Sequence, residues 1–577
     1  MELALKFEGA NSDGTCAGAR PHEEEFMSRI QFVWPRALAL ALGLALHAGC
    51  GGFIPPAPAP LSASNVNLVF VVSEDLSYHA SGDVNPNTAN LTNKGLQRSL
   101  LMGSFLKQSV LGGNNVTGIY ALEPMTHLQT ANNYPDLVSL ETIQQFAMLN
   151  QVSVPYQGSP GPTANSFPIF SSYLLGAIPN DVAPPVWHCP GCQGLDFKDE
   201  NGDNESIVSG IIAANNPGFY VFSAPWETII ALMTNINQSE DYNLRLPFSA
   251  PWETINALMT NINQSEHYNL KLSADYAGPN MVYAISIASE GASLTMYNGG
   301  FTPASVYPAL APLQNFSAPC SATPFHIQVQ GGSGGAVVPK SINTNETVYM
   351  IRHAEAHPVP NWDDGNYIAP GQWRALLLPQ ALQGKVHPTQ VYSIDPAVGI
   401  HSGLIDGVIT SSYVRPSLTV EPYAIANNLP FNLAASVPVF AQNAPQLSTY
   451  ASNFFFTQGT FSNETLLVAW EHDHIPPTVN ALLAGFGSSQ VAPNWPSDDY
   501  DTIWTIKLDS QGNLTVDNGM CEGINSGSLP ATAPQFRRSE APGQGTPRRV
   551  GASPRLSQAD ECGRSSSSRS WRQRLSS

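Results

Sequence analysis

Charge is what this 577-residue sequence has least of. Asp, Glu, Lys and Arg together make up 12% of it, about half the usual share. Basic residues are the scarcer kind, 25 against 44 acidic ones, for a net charge of −19. An acidic surface argues against nucleic acid and anionic membrane as partners, because both are polyanions. It leaves an anionic small molecule open, since a pocket can carry its own Arg and His. Cysteine is also sparse. The 7 residues Cys16, Cys50, Cys189, Cys192, Cys320, Cys521 and Cys562 are too few for a disulfide scaffold and too scattered for a structural zinc site. His188-Cys189-Pro190-Gly191-Cys192 contains a CxxC without a thioredoxin pattern around it, so a local loop disulfide or a pairing with Cys320 is expected. The apolar run at 37–46 is too short to span a bilayer.

What is present begins with a processing pattern. Residues 1–26 are polar and read as an upstream extension before a start at Met27. A basic start, the short apolar run and Ala48-Gly49-Cys50 make 27–50 a secretory or lipoprotein signal. The expected location is therefore secreted or cell-surface, with membrane contact only through a lipid on Cys50. Sequons at Asn90, Asn115, Asn345 and Asn463 would carry glycan only in a eukaryotic source.

A Pro-rich tether occupies 51–64, and from 65 strands and helices alternate. Strands are expected at 67–72, 118–122 and 218–222, and helices within 91–106, 134–150 and 226–235. Such alternation implies a mostly parallel sheet flanked by helices. Residues 222–247 recur almost verbatim as 248–273; a pair is no solenoid, and one copy is expected to be looped out. The acidic stretch 199–205 lacks the glycine of an EF-hand and reads as a solvated loop. A Gly- and Pro-containing linker covers 312–344, after which the pattern restarts. Residues 348–351 parallel 69–72, Gly371-Gln-Trp-Arg374 parallels Gly95-Leu-Gln-Arg98, and 503–508 parallels 282–287. The expected architecture is α/β: two tandem three-layer α/β/α domains at 65–311 and 345–524, each with a mostly parallel sheet. A disordered tail is expected at 525–577.

The chemistry concentrates in the second domain. Thr347-Val-Tyr-Met-Ile351 is a buried strand by composition, and Arg352-His353 follows at its carboxyl end. Ligands sit at that end in open α/β sheets. The dipeptide offers a fixed cation and a nucleophile able to take a phosphoryl group. Residues 408–431 read as a strand, a Ser-rich turn holding Arg415, and a helix. Residues 465–483 read as a strand ending near His472, with Pro476 and Pro477 suited to a first helical turn.

Taken together, the strand-then-Arg-His, the Ser-Ser-x-x-Arg-x-x-x-Thr turn at 411–419 and the late strand-then-His resemble the histidine phosphatase superfamily, which includes phosphoglycerate mutases and histidine acid phosphatases. The resemblance covers roughly 347–518, with a degenerate copy over 65–300. It implies that His353 is a nucleophile forming a phosphohistidine, and that Arg352, Arg415 and His472 complete the phosphate pocket. His472-Asp473 resembles the His-Asp pair in which the Asp is the proton donor, with Glu471 and Glu355 as rivals. Two guanidinium forks suit bidentate phosphate recognition, and neutral His353 needs an acceptor on one ring nitrogen to fix its tautomer.

No metal or cofactor is required. His472 and His474 could ligate zinc, but no third ligand is marked. His357 is expected at the pocket rim. Ala354 stands where the family has Gly, and an insertion at 397–406 precedes the Arg415 turn. In the first copy Ser73 and Glu74 stand for Arg352 and His353, and His127 falls near the Arg415 position. The expected function is a secreted or surface-anchored phosphatase acting on small phosphomonoesters. The alternative is a catalytically inactive binding or scaffold protein. A mutase is disfavoured because its substrate is cytosolic.

Overall fold

The computed structural model describes residues 57–536 except 131, 154–162, 173–192, 200–201, 240–275, 311–315, 317–319, 321, 332–336, 358–363, 398, 402–408 and 435–443. The signal segment with Cys50, the CxxC at Cys189 and Cys192, the second copy of the repeat and residues 537–577 lie outside the described residues.

Strand β1 (Val66–Val72) is buried along its whole length, as a central parallel strand must be. With β2 (Gly118–Ala121), β3 (Gly218–Ala224), β4 (Met281–Ala288) and β5 (Gly291–Asn298) it forms a sheet of order β2-β3-β1-β4-β5. β1, β2 and β3 run parallel, and β4 and β5 close the other edge antiparallel. Alternate residues of β1 face opposite layers. Val69 and Val71 point to helices α1 (Asn93–Phe105) and α2 (Val138–Met148), while Leu68 and Phe70 point to α3 (Asp203–Ala214) and α4 (Trp226–Ser239). Thr92 starts α1 as its N-cap, its hydroxyl accepting from the Lys94 and Gly95 backbone.

The second sheet has order β6-β12-β11-β7-β10-β8-β9. Its strands are β6 (His326–Val329), β7 (Glu346–Arg352), β8 (Gln390–Ile394), β9 (Phe431–Ala434), β10 (Thr465–Trp470), β11 (Thr502–Leu508) and β12 (Leu514–Cys521). β7, β10, β8 and β9 are parallel, and β11, β12 and β6 antiparallel. Helices α5 (Ala369–Ala381) and α6 (Arg415–Asn427) cover one face, and α7 (Ala444–Phe456) and α8 (Ile475–Gly485) the other. The fold is thus α/β, its parallel-centred sheets flanked by helices.

Five strands of the second sheet repeat the order and direction of the first, and the backbone fixes their register. His353 N donates to Trp470 O, and Ser73 N donates to Ala224 O at the same place. Val72 and Ser73 therefore stand where Arg352 and His353 stand, one residue earlier than the run of aliphatic residues suggested. A stretch of Val, Leu and Phe carries no register until partner strands are added.

The halves are not separate beads. Val71, Met102 and Phe146 belong to the same buried cluster as Ile351, Leu378, Leu418 and Leu467. Buried polar ties cross the same seam: Gln144 pairs with Asn366, Gln372 Nε2 donates to Gln145 Oε1 at 2.6 Å, and Ser166 Oγ donates to Asp364 Oδ2 at 2.6 Å.

Four expectations change. Part of the supposed linker is strand β6. The start of the supposed disordered tail is ordered, with Ser526 Oγ bonded to Arg374 and Trp373 Nε1 donating to Thr532 O. Cys320 is disulfide-bonded to Cys521, not to a CxxC cysteine. Asn90 is buried with Nδ2 bonded to Leu429 O, which removes it as a glycan acceptor in the folded chain. Among the described residues no helix is long and apolar enough to cross a membrane.

Candidate active site

The β7–β10 ladder ends at the pair Arg352–Trp470, so His353 and Glu471 are the first residues released from it. Arg352 is buried and positioned by the 497–500 loop. Its Nη1 donates to Ser497 O at 2.6 Å and Asp499 O at 3.3 Å, its Nη2 to Tyr500 Oη at 3.2 Å, and its Cζ lies 3.8 Å from the Tyr500 ring centroid. Arg415 opens α6, with its backbone N bonded to Gly365 O and its Cζ 4.6 Å from the Tyr413 ring centroid. One turn on, Thr419 Oγ1 donates to Arg415 O at 2.7 Å and accepts from Ala354 N at 2.8 Å. The last residue of the 411–419 motif thereby locks the helix carrying Arg415 to the loop carrying His353.

His353 is buried, with Nδ1 2.7 Å from Ala354 O and Nε2 3.1 Å from Glu471 Oε2. A carbonyl oxygen can only accept, so Nδ1 carries a proton and the reactive lone pair belongs to Nε2. The contact from Nε2 to Glu471 Oε2 places the carboxylate beside the reactive lone pair, where it can exchange a proton with a bound ligand. Burial and the Arg415 charge, with Arg352 adding, push the imidazole down to about 3 against the pull of Glu471. Burial pushes Glu471 up, but bonds from His353 and His472 outweigh it and hold the carboxyl well below the usual range.

Glu471 is the hub of the site. Its Oε1 lies 2.5 Å from His472 Nδ1, its Oε2 accepts from His472 N at 2.8 Å, and Tyr413 Oη donates to Oε2 at 3.3 Å. Asp473, the expected proton donor, points outward. Its side chain is 76% exposed, with Oδ1 3.5 Å from His472 Nε2. Glu355 is occupied elsewhere: the fully buried Arg374 donates Nε to it at 2.9 Å, and that charge holds its carboxyl low against burial. His357 is not at the rim; its imidazole is buried, 3.0 Å from Asp364 Oδ1. His474 is buried just ahead of α8 and lies outside the cluster of His353, Glu471 and His472 ligand atoms, which are all within 4.8 Å of one another.

The structure thus brings His353 and His472 together under the influence of Arg352 and Arg415, and leaves Asp473 out. Tyr413 and Tyr500 carried no sequence signal, because each acts through a contact with a residue distant in the chain. Glu471 was visible only as one of three carboxyls.

No family model matches this chain, and no curated protein does. Solved structures with which it shares a likeness include the protein designated phosphohistidine phosphatase SixA from Agrobacterium tumefaciens, at 16% identity over 28% of this chain and 91% of that one, TM-score 0.17. Another is designated an alpha-ribazole-5'-P phosphatase from Escherichia coli, at 13% identity over 32% and 100%, TM-score 0.19. A SixA from Nakamurella multipartita is similar at 12% identity over 33% and 92%, TM-score 0.17. At such scores the likeness carries no weight for function, which rests on the residues themselves.

Proposed function

We propose that this chain hydrolyses small phosphomonoesters through a phosphohistidine at His353. One observation carries the reading: a buried imidazole with Nδ1 tied to a carbonyl, Nε2 turned to an acid, and two buried guanidiniums acting on it. Nε2 attacks phosphorus while the bond to the ester oxygen breaks. Arg352, Arg415 and His472 neutralise the phosphoryl oxygens, which is the main demand of this reaction. Glu471, rather than Asp473, takes the proton of the substrate's phosphate monoanion and passes it to the leaving alkoxide. It then takes a proton from the water that attacks the phosphohistidine, releasing inorganic phosphate and neutral His353.

The first half is a degenerate copy that has lost this chemistry, a reading supported by the common strand order and by Val72-Ser73 at the reactive positions. The signal at 27–50 directs the protein out of the cell, free or anchored at Cys50.

The test is covalent labelling of the full chain with a 32P-labelled phosphomonoester. Wild type should carry acid-labile, base-stable label. His353→Ala should carry none and lose turnover by roughly 10⁴-fold. Turnover retained in His353→Ala would refute the mechanism. Unlabelled, inactive wild type would favour the non-catalytic binding protein.

A further inference from the structure

The strand end of the first half, where the second half has its nucleophile, is itself a built site. Asp75 follows β1, His127 follows the short 3-10 turn after β2, Asp136 leads into α2, and Glu227 lies in the first turn of α4. All four are almost completely buried. His127 Nε2 sits 2.6 Å from Asp75 Oδ2, and ligand atoms of Asp75, His127 and Asp136 all lie within 4.8 Å of one another. The ring of His127 is stacked on Phe197 at 3.7 Å, which fixes the direction of Nε2.

Two carboxylate oxygens here are buried without a hydrogen-bond partner: Asp136 Oδ2 and Glu227 Oε2. Gln129 leans on Asp136 without completing a well-formed bond. Glu227 interacts electrostatically with both Asp75 and Asp136. Two carboxylates beside one imidazole leave Asp136 Oδ2 unmatched, and a dry site tolerates an unpaired carboxylate oxygen poorly. Lys198 is a nearby cation acting on His127. Arg98 is committed to Asp83 and Glu74.

We propose that Asp75, His127 and Asp136 bind one divalent transition-metal cation, with the Glu227 carboxyl adding to the negative field around it. Carboxylate oxygens from Asp75 and Asp136 and one imidazole nitrogen suit Mn²⁺ or Zn²⁺ better than Ca²⁺, which prefers oxygen alone. The ion would replace the direct Asp75–His127 contact and take up the orphaned Asp136 Oδ2. Among the described residues the other cluster of this kind, His353, Glu471 and His472, lies under two guanidiniums that oppose a dication. The proposal stands independently of the phosphatase reading.

The experiment uses the full chain, stripped with chelator and titrated with Mn²⁺. Calorimetry should find one equivalent bound, and electron spin-echo modulation should show a single imidazole nitrogen on the ion. Asp136→Asn should weaken binding by roughly 100-fold, and His472→Ala should leave it unchanged. If Asp136→Asn fails to fold, the nitrogen count on wild type decides alone. No binding at millimolar Mn²⁺, two imidazole nitrogens, or binding that survives Asp136→Asn and disappears with His472→Ala would each overturn the proposal.

Discussion

At the carboxyl end of β7 the chain buries Arg352, Arg415 and His353 around Glu471. At the carboxyl end of β1, reached by the same order of strands, it buries Asp75 and Asp136 around His127. The frame behind the two ends is alike. A Cβ on Gly95 would collide with Asp83 O, and one on Gly371 with Glu355 O, so each helix approaches its loop at a glycine. Arg98 donates Nε to Asp83 Oδ2 at 2.6 Å, and Arg374 donates Nε to Glu355 at 2.9 Å, each a buried ion pair three residues after its glycine. What differs is the sign of the charge in the crevice. A parallel sheet provides the crevice by topology, while a handful of side chains decide whether an anion or a cation can enter it.

The largest effect is expected from dividing the halves. Residues 345–524 expressed alone should not fold cooperatively, because α5 and α6 lose the apolar cover of α1 and α2. Asn366 and Asp364 would lose Gln144 and Ser166 as partners. Far-UV circular dichroism with a thermal melt checks this. A soluble, active fragment would show that the halves are joined only by their linker.

Next comes the identity of the acid. Glu471→Gln should slow hydrolysis of alkyl phosphates by about 10²–10³-fold and of aryl phosphates far less, because an aryl leaving group needs no proton. Asp473→Asn should change little, its carboxylate being in solvent. The reverse pattern in steady-state rates would restore Asp473 as the donor.

The smallest effect concerns the seam between the halves. Glu141 on α2 and Glu421 on α6 are buried on facing helices and act on each other electrostatically. Burial raises Glu141 to about 7 and holds Glu421 well above its ordinary value. A carboxyl raised on folding contributes its stability fully below the unfolded value of 4.5 and loses it as pH rises through about 7. Glu141→Gln should remove that loss. Between pH 4.5 and 8 the wild type should fall relative to the variant by on the order of 3 kcal/mol, as measured by denaturant unfolding. Parallel pH profiles would mean the pair is not buried in solution.

Local chemistry made much of this protein legible from its sequence. The aliphatic run before Arg352-His353, Thr92 ahead of α1, Pro476 and Pro477 in the first turn of α8, and the spacing from Arg415 to Thr419 are all resolved within a few residues of chain. They determined the alternating α/β pattern, the nucleophile candidate and two of its cations. Tertiary structure decided what depends on meeting distant residues. Whether Glu471 or Asp473 turns inward depends on where β10 stops. The clamp on Arg352 comes from Tyr500, which is 148 residues away. Cys320 finds Cys521 across 201 residues. The one-residue register of Val72-Ser73 and the common core of the two halves belong to the same group. In each case the deciding contact joins segments that are neighbours only after the sheets have formed, and no local propensity encodes it.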